Sequence, residues 1–159
     1  MRAVVLEPTG IQQRISAIGV TTVAPCLVVS STNDPENSSP LIQYDEEVPG
    51  VGHDRLKRTV ALAKVLSRLI PCPERSRRIL LTASGWLSWQ LSGCAAIDGC
   101  SIAELGLSAQ RMQRAIPGPP TKTVGPAEAI GSLTPSMAKL LGLPKGIAVV
   151  AGGSDSLGL

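Results

Sequence analysis

The stretch "GLPKGIAVVAGGSD" at 142–155 decides the predicted fold, because it contains an apolar run and the turn that follows it. Its central part, 147–153, is made of small and β-branched apolar residues, which is typical of a buried strand. Two glycines then allow another group to approach the backbone closely, and Asp155 follows. Because ligands of open α/β sheets gather beyond the carboxyl ends of the strands, Asp155 is the first candidate for a functional side chain.

Three segments of the chain predict helices. The segment 53–69 repeats its apolar residues at three- and four-residue spacing, as an amphipathic helix does. In 78–93 an apolar start predicts a strand or turn that enters a helix, and 134–146 predicts a further helix. For the helix in 78–93 the expected N-cap is Thr82 or Ser84, and the helix is expected to end near Gly93. For the helix in 134–146 the expected N-cap is Thr134, followed by Pro135, and the end is expected near Gly142.

The strands are predicted from β-branched runs and from the turn formers between them. The segment 14–31 predicts a strand, a turn at 24–25 and a second strand from Cys26, and 41–44 predicts a returning strand. Between them, 32–40 is rich in turn formers and predicts a hairpin loop, and 108–123 predicts a surface loop. Strands at 15–20 and 147–151, separated by helices, predict neighbours in a largely parallel sheet. The fold class is therefore α/β with a β-hairpin insertion, in one domain.

Composition excludes several classes of function. The net charge is only +3, and the basic run "ERSRR" at 74–78 has no interleaved aromatic residues, so a solvated surface is favoured over a nucleic-acid site. No segment is apolar enough to be a leader or to span a membrane, and four cysteines without a CxxC pair indicate a reducing cytoplasm. The single His53 leaves no metal cluster and no histidine-dependent triad.

Four blocks of the sequence, in collinear order, resemble the FGGY-type carbohydrate kinases, and the xylulokinase-like members in particular. The first two blocks are "ISAIGVTTVAPCLVV" (15–29) and "LIQYD" (41–45). The third is "ILLTASGWLSWQLSG" (79–93), and the fourth runs from "GPAEAIGSLTPSM" to "VVAGGSDSLGL" (125–159). The resemblance covers essentially the whole chain.

The resemblance implies an actin-like, ribonuclease-H-like ATPase fold with a mixed sheet. By that pattern 1–159 is a single partial domain: the sugar-binding N-terminal domain without its first strands, with the C-terminal nucleotide domain absent. ATP and Mg²⁺ are implied as cofactors and a small-molecule sugar as substrate, with no nucleic acid or membrane partner. The complete protein would be cytoplasmic and a homodimer, and the fragment alone would be inactive.

The resemblance also assigns roles to individual residues. Asp155 would be the general base that accepts a proton from a sugar hydroxyl as its oxygen attacks the γ-phosphoryl group of ATP. Asp45, Thr22 and Gly153 would bind the sugar, and Gly152 with Gly153 would lie against the nucleotide; no metal ligand is assigned. The residues alone leave other interpretations open: Asp155 as a turn or capping residue, Asp45 as a surface acid and Thr22 as a plain strand residue.

The predicted function is transfer of the γ-phosphate of ATP to a sugar or polyol hydroxyl, with a pentulose such as xylulose as the expected substrate. Two departures from the family pattern stand against this. The arginine expected after Asp45 is absent, and Val23, Ala24 and Pro25 replace the Gln-Met-His run of xylulose-specific members. The alternative is a truncated, non-catalytic protein that binds sugar or acts through protein contacts. A helix-start or turn role is favoured for Asp98, and core packing for Trp86 and Trp89.

Overall fold

The computed structural model describes residues 10, 12–22, 26–43, 61, 78–104, 108, 110 and 121–152. The predicted 53–69 helix and most of the predicted 108–123 loop lie outside these residues. The elements with described bounds begin with a 3₁₀ turn at Gln12–Arg14. The strands are β1 (Ala17–Gly19), β2 (Leu27–Ser31), β3 (Asp34–Ser38), β4 (Arg78–Thr82), β5 (Ala96–Asp98), β6 (Lys122–Val124), β7 (Ala129–Ser132) and β8 (Ala148–Val150). The helices are α1 (Ala83–Ser92), α2 (Gly99–Glu104) and α3 (Pro135–Leu141).

The described strands form three small sheets, with orders β1-β8-β7, β3-β2-β4 and β5-β6. In the first sheet β1 runs parallel to β8, with Ile18 opposite Val149, so the predicted neighbourhood of these two strands is confirmed. On its other side β8 pairs with β7 in antiparallel direction. The strand is shorter than predicted, and only its central residue, Val149, is fully buried. The sheets are therefore mixed, with both parallel and antiparallel pairs.

The prediction that 32–40 is a loop is wrong for Asp34–Ser38, which is strand β3 paired in antiparallel direction with β2. The turn formers that favoured a loop are tolerated because β3 is the edge strand of its sheet, where Pro35 does not interrupt a central ladder. The predicted returning strand at 41–44 is confirmed only as a single bridge among its described residues 41–43. Ile42 makes one antiparallel bridge to Leu27, with N···O distances of 2.9 and 2.8 Å, and Tyr44 lies outside the described residues.

The prediction of a loop at 108–123 is also wrong for its last two residues. Lys122 and Thr123 belong to β6, which pairs in parallel with β5 and places Val124 opposite Asp98. Residue Val124 is buried and packs with Ala96. This parallel pair was not predicted, because a three-residue strand is too short to show an alternating pattern.

Both described helix predictions are confirmed, and local chemistry explains their bounds. The Thr82 side chain caps α1 by accepting a hydrogen bond from Gly85 N, and α1 ends at Gly93 in the left-handed conformation. The Thr134 side chain caps α3, with Pro135 as its first residue, and the helix ends at the left-handed Gly142. Capping hydroxyls satisfy orphan N–H groups, and glycine adopts positive φ without a steric penalty.

Buried side chains form separate small clusters next to the sheets. One cluster joins α3 to β8 and contains Leu133, Ala138, Ile147 and Val149, while another contains Cys26, Val28 and Ala83 with Trp86 against them. Trp89 is buried, as predicted. Across the described residues, no helix combines the length and apolar character needed to cross a bilayer.

Candidate functional site

The carboxyl ends of β1 and β8 meet at one sheet edge, because the two strands are parallel. The chain leaves β1 through Val20 towards Thr22, and leaves β8 through Ala151 and Gly152. A Cβ built on Gly152 would overlap the carbonyl oxygen of Val20, so the two exit segments touch through their backbones. This contact brings the segments that carry two sequence-predicted site residues, Thr22 and Gly152, to the same edge.

Asp155 follows Gly152 by three positions in the sequence. Asp155 itself, Gly153 and Asp45 lie outside the described residues, and their assigned roles stay predictions. The described residues form the sheet edge at the ends of β1 and β8, which precedes Asp155 in the chain, together with a turn and a cavity next to that edge.

A tight turn at Gly125–Glu128 holds the end of β8. Ala151 N donates to the carbonyl of Glu128 (2.8 Å), and Ala127 N donates to the carbonyl of Ala151 (3.0 Å). The Glu128 carboxylate accepts from Gly125 N (3.0 Å) and pairs with Lys122 (2.8 Å). The hydrogen bond from Lys122 lowers the pKa of Glu128, and the bond from Gly125 N–H lowers it further. The turn thus fixes the backbone immediately before Gly152.

Ala127 adopts φ 60° in this turn and is the only described non-glycine residue with positive φ. That conformation costs an L-residue about 1–2 kcal/mol, so Ala127→Gly is expected to stabilise the chain by up to about 1 kcal/mol after the entropy cost of glycine. Ala129→Gly, at a β7 position without positive φ, is the matched control and is expected to destabilise by about 0.5–1 kcal/mol. Urea denaturation measures both; destabilisation by Ala127→Gly would contradict the assigned strain.

A partly open cavity of about 530 Å³ lies beside Thr22. Helix α1 contributes Ala83, Trp86 and Leu87 to its wall, β2 contributes Val28, and Cys26 lies just before β2. The remaining lining residues come from the end of β3 and the segment after it, and they are Ser38, Ser39, Leu41 and Gln43. Trp86, expected in the core, is only half-buried and lines this cavity, a role that its apolar helical spacing did not reveal.

Among the described lining residues, the hydroxyl and amide side chains come from Thr22 and the 38–43 segment. Ser39 Oγ accepts from Val29 N (3.0 Å) and donates to the Pro40 carbonyl (2.8 Å), so this hydroxyl is already used by the fold. The volume is within the range of small-molecule sites, which combine mainly apolar walls with a few polar groups. Among the sequence-predicted site residues, the structure places Thr22 on this wall.

Asp98 is buried at 3% exposure at the end of β5 and organises a second polar cluster. Its Oδ2 accepts from Thr82 Oγ1 (2.9 Å) and Ser84 Oγ (2.7 Å), and its Oδ1 accepts from Ser101 N (2.7 Å). The bond from the residue three positions on is the N-cap pattern at the start of α2, so the predicted helix-start role is confirmed. The cluster joins the starts of two helices; sequence reasoning identified Thr82 and Ser84 as alternative caps but not their shared contact with Asp98.

Neither a protein-family model nor a curated protein sequence matches the chain. Solved structures do match it. A carbohydrate kinase from Novosphingobium aromaticivorans aligns with a TM-score of 0.67 and 19% identity over 89% of this chain and 36% of that one. The chain has the fold of part of a carbohydrate kinase. A xylulose kinase from Rhodospirillum rubrum aligns with a TM-score of 0.60 and 20% identity over 89% of this chain and 35% of that one.

The chain thus spans about a third of the length of these two kinases. The described residues do not supply a nucleotide site. Gly152 is the one described residue that the resemblance assigns to the nucleotide, and the Val20 carbonyl occupies the space where its side chain would be. Because this backbone contact already requires a glycine, the residue type gives no separate indication of a phosphate. We therefore assign no contact with ATP or Mg²⁺ to the described residues.

Proposed function

We propose that this chain carries the sugar-binding part of an ATP-dependent carbohydrate kinase, with Asp155 as the general base. The observation that supports it best is the parallel pairing of β1 and β8, which brings Thr22 and the segment leading to Asp155 to one sheet edge. The fold likeness to two sugar kinases supports the same proposal. A cavity of small-molecule size adjoins Thr22 at this edge.

In the proposed reaction, a sugar hydroxyl loses its proton to the Asp155 carboxylate as its oxygen forms a bond to the γ-phosphorus of ATP. The bond between that phosphorus and the bridging oxygen of ADP breaks, so the products are a sugar phosphate and ADP. Asp155 needs no unusual basicity, because the phosphoryl-transfer transition state is loose and positioning supplies most of the acceleration. Thr22 would hold the sugar through its hydroxyl, and Asp45 and Gly153 would contact it from the neighbouring segments.

Two measurements test the proposal. Calorimetry on the folded chain with pentuloses, hexuloses and polyols is expected to detect binding of at least one sugar. In the complete polypeptide that carries this sequence, Asp155→Asn is expected to lower sugar-dependent ADP formation by about 10²–10⁴-fold, the usual contribution of a general base. Its affinity for the sugar should stay within a few-fold.

Asp34→Asn is the matched control, because Asp34 is an exposed acid on the edge strand β3. It is expected to leave ADP formation unchanged. Equal activity of Asp155→Asn and the native protein would remove the base assignment. A folded chain that binds no sugar, in a polypeptide that forms no ADP, would favour the alternative of a non-catalytic interaction protein.

A further inference from the structure

One side of the cavity beside Thr22 is lined mainly by apolar side chains. Ala83, Trp86 and Leu87 are spaced at i, i+3 and i+4 on α1, so they share one face of the helix, and all three line the cavity. Val28 on β2 and Cys26, just before that strand, continue this wall and are buried in one cluster with Ala83. Among the described side chains of this wall, those of Ala83, Leu87 and Val28 carry no hydrogen-bonding group, and Trp86 offers a single donor, its indole N–H.

A fully hydroxylated sugar matches this wall poorly. Sugars such as pentuloses carry an oxygen on every carbon, and a hydroxyl pressed against Ala83 or Leu87 would lose its water without gaining a hydrogen-bond partner. A methyl or methylene group in the same place removes apolar surface from water instead. Such a single-group difference changes affinity by roughly 10–200-fold.

We propose that the substrate of this site is a deoxy sugar, whose deoxygenated carbon lies against Ala83, Trp86 and Leu87. Its remaining hydroxyls face Thr22 and the 38–43 segment, where Ser38 and Gln43 line the cavity. This inference rests on the proposed function and specifies its substrate class.

Paired sugars that differ by one oxygen test the inference on the chain itself. The pairs are 1-deoxy-D-xylulose with D-xylulose, and 6-deoxy-L-fructose with L-fructose, each titrated by calorimetry. In at least one pair the deoxy sugar is expected to bind 10-fold or more tightly. Its binding should also change the tryptophan emission, and Trp86→Phe should abolish that change while Trp89→Phe retains it, because Trp86 lines the cavity and Trp89 is buried elsewhere.

Ala83→Ser places a hydroxyl on the apolar wall and is expected to reduce the preference for the deoxy sugar at least threefold. Ala138→Ser, a buried helical alanine in the α3 cluster, is the matched control and should keep the preference. Leu87→Gln, at a half-buried helix position, gives the same test should Ala83→Ser fail to fold.

The outcomes separate this inference from the function on which it rests. Equal affinities within both pairs, or tighter binding of the hydroxylated sugars, would overturn the deoxy-sugar assignment and leave the kinase proposal standing. Binding of no sugar by a folded chain would overturn both. An emission change that persists in Trp86→Phe would show that the sugar binds away from this cavity and would overturn the assignment.

Discussion

Gly152→Ala is expected to prevent the chain from forming its native β1–β8 edge. The new methyl group would overlap the Val20 carbonyl, a backbone atom that cannot rotate away as a flexible side chain would. Relief requires β1 and β8 to separate, and their pairing comprises only three register positions. A loss of about 3 kcal/mol or more is expected, which is a large share of the 5–15 kcal/mol by which domains are stable. Thermal and urea unfolding, followed by circular dichroism, measure the effect.

Gly19→Ala is the matched control for this substitution. Gly19 lies in β1 opposite Val150, and its added Cβ would meet Val150 Cγ2 at 3.5 Å, an ordinary van der Waals contact. Alanine is favoured over glycine within a strand, so a change of at most about 1 kcal/mol is expected. Similar stability of Gly152→Ala and Gly19→Ala would show that the two exit segments do not touch as described.

Asp98→Ala is expected to destabilise the chain by about 3 kcal/mol, because it removes three hydrogen bonds from a buried site. The α2 cap from Ser101 N is lost, and the hydroxyls of Thr82 and Ser84 lose their common acceptor. These hydroxyls lie 3.2 Å apart and can bond to each other, so the loss is smaller than the sum of three separate bonds. Urea denaturation followed by the emission of the buried Trp89 measures the loss.

Asp98→Asn refines this prediction, because it keeps the size of the side chain and one acceptor oxygen. Its amide group would face hydroxyls that now donate, so an intermediate loss of about 1–2 kcal/mol is expected. Lys139→Ala, at an exposed position of α3, should change stability by no more than about 0.5 kcal/mol. If Asp98→Ala unfolds at the same urea concentration as the native chain, the cluster does not stabilise the helix starts.

The helix bounds were predictable from sequence because the forces that set them act within one turn. Thr82 and Thr134 cap helices through N–H groups three residues away, and Gly93 and Gly142 end them through their own positive φ. The parallel pairing of β1 and β8 was also predictable, since strands joined through helices favour that arrangement.

Other features depended on contacts between distant segments. Asp34–Ser38 contains turn-forming residues, and only the availability of an edge beside β2 makes it a strand. Asp98 is a plausible cap from its sequence, but its bonds to Thr82 and Ser84 reach back 16 and 14 residues. The cavity beside Thr22 is likewise assembled from segments that span residues 22–87.

The sequence by itself therefore determined the two helices, the neighbouring strands of the parallel pair and the likeness to sugar kinases. The tertiary structure alone decided which sheet edge receives β3, why position 152 must be glycine and which side chains face the cavity. The physical reason is the separation along the chain between the residues that interact. Capping and turn preferences are set by neighbouring residues, whereas strand pairing, steric exclusion and cavity walls depend on which remote backbone lies within a few ångströms.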